Sequence, residues 1–78
     1  MFKEGDVILV PVHTTGSMTY EMAMLIHAYD GSTQRKQCIG EVFSKNGEYK
    51  TRVNNTHRIH ASRNDAINYL RAVAALDD

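Results

Sequence analysis

Cysteine, proline and unbalanced charge are what this chain lacks. Its 78 residues hold one Cys, one Pro and equal numbers of basic and acidic residues, nine of each. A lone Cys38 excludes an internal disulfide and fits a reducing cytoplasm. A net charge of zero argues against a polyanionic DNA mimic and against a strongly basic nucleic-acid binder. Long apolar runs are missing too. The stretch Val7 to Val12 is broken by Pro11 and is far too short to cross a bilayer. The opening Met1-Phe2-Lys3-Glu4-Gly5-Asp6 carries acid where a secretion signal needs base. A cytoplasmic protein with no membrane partner is the expectation.

Apolar residues make up 42% of the chain, enough for one core and one domain over residues 1–78. The even charge total conceals a division. Up to residue 34, Lys3 stands against Glu4, Asp6, Glu21 and Asp30. From 35 to 76, eight basic residues stand against Glu41, Glu48 and Asp65.

Gly5-Asp6 is a turn signal, and Val7-Ile8-Leu9-Val10 reads as a strand whose Pro11 belongs at an edge or a bulge. Thr14-Thr15-Gly16-Ser17 turns the chain. Residues 18–29 satisfy two periods. At period two, Tyr20, Met22, Met24, Ile26 and Ala28 share a face, with Thr19, Glu21 and His27 opposite. At helical period, Met18, Met22, Leu25, Ile26 and Tyr29 form a stripe. Asp30-Gly31 as a hairpin signal favours strand.

The second half is plainer. Cys38 to Ser44 is a strand, Asn46-Gly47 is a type I′ turn pair, and Glu48 to Asn54 alternates with Tyr49, Thr51 and Val53 inward. Asn54-Asn55-Thr56 turns again, after which His57, Ile59 and Ala61 are read as inward and Arg58 and His60 as outward. Ser62 with Asp65 resembles a capping box for a helix burying Ala66, Ile67, Leu70, Val73 and Ala74. Asp77 and Asp78 stand at the unfavourable negative end of its dipole. The expected fold is α+β: a four- to five-stranded antiparallel meander with one C-terminal helix on one face. The alternative makes residues 18–29 a helix and the order β-α-β-β-β-α.

No catalytic, metal or nucleotide motif stands out, so no enzyme activity and no cofactor is expected. His57 and His60, three apart on a strand, point to opposite faces and would not share a metal. Cys38 reads as a small hydrophobe rather than a nucleophile. The row Lys50, Arg52 and Arg58, preceded by Arg35 and Lys36, is the strongest candidate contact surface, whether for protein or for nucleic acid. Tyr20 and Tyr29 are candidate aromatic anchors. The Met18, Tyr20, Met22 and Met24 stripe reads first as core and second as an adaptable interface, including a homodimer.

Two resemblances bear on function. The run from Ile39 through Ala75 resembles the three-strand-plus-helix DNA-binding domains of the phage integrase-arm type, which implies Lys50, Arg52 and Arg58 as DNA contacts. In its size, neutrality, Gly-Glu-Tyr hairpin and capped C-terminal helix, the whole chain resembles small phage-encoded accessory proteins of the anti-CRISPR type. That likeness implies a non-enzymatic inhibitor docking on a larger nucleic-acid-handling protein complex.

Overall fold

The computed structural model describes residues 3–28 and 34–76. Among the described residues five strands and a helix follow one another: β1 (Val7–Thr15), β2 (Met18–Ala28), β3 (Gln34–Lys45), β4 (Glu48–Val53), β5 (Thr56–His60) and α1 (Arg63–Leu76). The strands pair in sequence order, all antiparallel, so the sheet is an open meander with β1 and β5 at its edges. This is the α+β architecture read from the sequence, with residues 18–28 a strand.

Local chemistry explains the path. Pro11 lies on an edge strand, where its missing N–H deprives no central ladder, and the register shifts between Pro11 and His13. Asn46 and Gly47 both take positive φ, 52° and 82°. Asn54 and Asn55 do the same, at 49° and 67°. Both pairs are therefore two-residue turns of the primed kind, which match the twist of the strands they join. The Ser62 side chain accepts the Asp65 N–H at 3.1 Å and caps α1 at the expected place.

The helix lies across one face of the sheet and touches all five strands. Val7, Leu9, Ala23, Val42, Val53 and Leu70 form the buried centre, with Leu25, Ile39, Tyr49, Ile67, Tyr69 and Val73 packed against it. Ala66, Leu70 and Ala74 are the buried stripe of α1. The core reading of the methionine stripe is corrected here. Val7 pairs with Leu25 and Leu9 with Ala23, so the core face of β2 is Glu21, Ala23 and Leu25. Met22 and Met24 point to the opposite, open face and are only half-buried. A strand has two faces, and cross-strand partners decide which one is core.

A second correction concerns β5. Because Asn54-Asn55 is a turn of two residues rather than three, Val53 pairs with Thr56 and the alternation is offset by one. His57 and Ile59 then share the open face with Arg52 and Lys50, while Arg58 and His60 fall on the helix side beside Thr51 and Tyr49. His60 confirms this placement: it hydrogen-bonds the buried Thr51 hydroxyl at 2.9 Å, and its ring lies 5.0 Å from that of Tyr69 on α1.

Candidate functional site

The open face is built from cross-strand rows. One row runs Val10, Met22, Glu41, Arg52 and His57 across β1 to β5. Its neighbour runs His13, Tyr20, Phe43, Lys50 and Ile59. Ile8, Met24 and Cys38 form a shorter row on one side, and Thr15, Met18, Lys45 and Glu48 form one on the other. The face is graded: Ile8, Val10, Met18, Met22 and Met24 lie on β1 and β2 together with His13, Thr15 and Tyr20, and the basic side chains lie on β4 and the end of β3.

At the centre, Tyr20 and Phe43 stack with ring centroids 5.0 Å apart and planes 13° from parallel. The Tyr20 hydroxyl donates to Glu41, and Arg52 donates to the same carboxylate from the other side. The hydrogen bond from Tyr20 is the main reason the Glu41 carboxyl lies below its ordinary range, with Arg52 acting in the same direction. Reciprocally, bonding to Glu41 holds the Tyr20 phenol above its ordinary value. Glu41 is thus satisfied twice, and Arg52 is spent on it.

Beside this cluster lies a shallow depression of about 390 Å³, bordered by Phe43, Lys45, Glu48, Lys50, Arg52 and His57. Lys45 and Lys50 make no ion pair among the described residues. Two uncommitted ammonium groups beside an aromatic ring suit an anionic, partly aromatic surface.

The sequence-derived site is therefore partly assembled. Lys50 and Arg52 share the open face as expected. Arg58 does not join them, because the β5 register turns it to the helix side. Arg35 and Lys36 pair with His27 and Ile26 at the far end of β3, so Lys36 stands roughly 20 Å along the strand from Phe43. Tyr20 is on the open face, engaged with Phe43 and Glu41. Tyr29 and the Asp30-Gly31 turn lie outside the described residues, as do Asp77 and Asp78. Phe43, Lys45 and His57 were missed. Their signal was present in two hairpins: with two-residue turns at 46–47 and 54–55, Phe43, Lys50 and Ile59 must fall in line.

Among the described residues no three His, Cys, Asp or Glu side chains converge on a metal-binding geometry. His57 and His60 are on opposite faces, as their spacing requires. No described helix is long and apolar enough to cross a membrane. Compared with known protein families, curated proteins and solved structures, the chain matches none of them.

Proposed function

We propose that this chain is a non-enzymatic binding protein that docks, through the basic half of its open sheet face, on a larger cytoplasmic complex that handles nucleic acid. The observation that carries this reading is the depression in which Lys45 and Lys50, with no ion pair among the described residues, stand beside Phe43. Its shallow, open form suits a macromolecular surface better than an enclosed small ligand. An inhibitor from a phage that occupies a defence complex and blocks access of nucleic acid is the concrete form of this proposal.

Direct DNA binding by three strands and a helix is the competing reading. It uses Lys50, Arg52 and Arg58 together, and Arg58 stands on the other face of the sheet.

The experiment compares the unaltered chain with a Lys45→Glu/Lys50→Glu variant for capture of a host complex, and titrates both with duplex DNA at increasing salt. Capture by the unaltered chain and its loss in the variant is the expected result. Duplex binding with a steep salt dependence would instead establish the DNA reading.

A further inference from the structure

Phe43 stands in its cross-strand row between Tyr20 and Lys50. Tyr20 stacks on one side of the ring, and Phe43 has no second ring partner among the described residues. The depression opens on the other side, toward β4 and β5. Lys50, Arg52, Glu48 and His57 border it there, and Tyr20 does not. One face of an aromatic ring is thus turned to a space of about 390 Å³.

The charges around this space are placed unevenly. Lys45 and Lys50 are exposed and form no ion pair among the described residues. Lys45 stands opposite Glu48, and Lys50 lies two residues beyond Glu48 on the same strand. The two lysines are therefore diagonal neighbours, roughly 7–8 Å apart on one face, and their long side chains can reach the same anion. Arg52 adds little, because Glu41 engages it. Glu48 is the one carboxylate on the border and is exposed. It accepts hydrogen bonds and so suits N–H or O–H donors at the edge of an occupant.

A matching occupant joins a planar ring, an anion close beside it and donors at its edge. An acidic peptide brings the anion but has a planar ring only at particular residues. Every nucleotide carries ring and phosphate together. In a duplex both faces of each paired base are covered by its neighbours, so only an unpaired base offers a face to Phe43.

We propose that the depression seats one unpaired nucleotide of a single-stranded nucleic acid, its base stacked on Phe43 and its phosphate held by Lys45 and Lys50. This deepens the reading above, on which it rests for the identity of the complex: the component entering the depression is a nucleic-acid strand. With two phosphate contacts, the logarithm of the affinity falls with the logarithm of salt at a slope of about −1.4, taking −0.7 for each contact on a single strand.

Fluorescence anisotropy of labelled oligouridylate and oligothymidylate, titrated with the chain, tests the proposal. Oligothymidylate annealed to its complement and polyglutamate serve as unlabelled competitors. At least one strand is expected to bind with that shallow slope, and both competitors to displace it poorly. Phe43→Leu, retaining a cooperative melt, is expected to weaken binding roughly tenfold or more, the share of one stacked base. Lys45→Glu/Lys50→Glu is expected to abolish it, and Arg58→Glu, on the other face, to leave it unchanged. Failure of both strands to bind, binding indifferent to these site variants, or displacement by polyglutamate as effective as by free strand overturns the proposal. If Phe43→Leu does not fold, the competitors decide: duplex bound as tightly as strand also overturns it. Nuclease treatment of a captured complex keeps the two proposals apart. Capture that survives it, with no strand bound, overturns this one and leaves docking on protein standing. Strand binding with no complex captured overturns the docking and leaves this one.

Discussion

The guanidinium of Arg63, the first residue of α1, lies 3.0 and 3.3 Å from the two carboxylate oxygens of Glu21 on β2. Glu21 is on the core face because Ala23 and Leu25 are, and only 4% of it is exposed. A carboxylate so placed requires a partner. Arg63 supplies it from the helix start, its own charge strengthened chiefly by Glu21 and further by Tyr49. The pair therefore fixes where the helix begins relative to the sheet.

Arg63→Met leaves the Glu21 charge buried and unpaired. Breaking a fully buried pair costs about 3–5 kcal/mol, but the Arg63 side chain is 46% exposed and water screens part of the interaction. The expected loss is about 1–3 kcal/mol in urea unfolding. Glu21→Gln in the same background recovers part of it. An unchanged unfolding midpoint in Arg63→Met would show that the pair does not anchor the helix.

The Asn54-Asn55 turn sets the register of β5 and hence which face receives Arg58. Asn55 has φ of 67°, a conformation that costs a residue with an ordinary side chain about 1–2 kcal/mol. Asn55→Ala is expected to lose about that amount, whereas Asn55→Gly stays within about 1 kcal/mol of the parent. Chemical denaturation of the two variants checks the order. Equal stabilities would mean that the turn is not held in this form.

These two sites show how much of the molecule was legible beforehand. The Asn46-Gly47 turn, β4 and the Ser62 cap depend on local chemistry within a few residues and were readable, whereas residues 18–28 satisfied two periods and β1 and β3 run further, to Thr15 and from Gln34, than their local signals reached. Which face of β2 becomes core depends on β1 and α1, residues distant in sequence, and Glu21 looked like an outward charge until Arg63 was placed over it. The inverted alternation of β5 came from counting Asn54-Asn55-Thr56 as a turn of three. One residue of turn length moved Arg58 out of the basic row and brought His57 in. Lys50 and Arg52 were placed correctly because the Asn46-Gly47 turn left their register no freedom.

Gly40 sits where the β2–β3 register shifts, and a Cβ built there would come 2.8 Å from both the Arg52 carbonyl oxygen and Val53 Cγ2. A backbone carbonyl held in a ladder has little room to retreat. Gly40→Ala is expected to destabilise by about 1–3 kcal/mol, the usual cost of overpacking. Amide chemical shifts should move most at Arg52 and Val53. A variant of parental stability would mean that the bulge absorbs the methyl group.

Glu41 and Tyr20 are shifted in opposite directions by the hydrogen bond between them, so they act on opposite limbs of the stability curve. Glu41 titrates below its unfolded value of about 4.5. Its contribution is present above that pH and is lost as the pH falls through the lower, folded value. Tyr20 titrates above its unfolded value of about 10. Its contribution holds below that pH and is lost as the pH rises through the higher, folded value. Glu41→Gln removes the charge from both effects. Thermal melts across pH are expected to show a shallower acid limb in that variant, and tyrosinate absorbance a Tyr20 titration nearer the ordinary phenol value. An acid limb of unchanged slope would assign the acid sensitivity to other carboxylates. An unmoved Tyr20 titration would show that the hydrogen bond between the two side chains does not persist in solution.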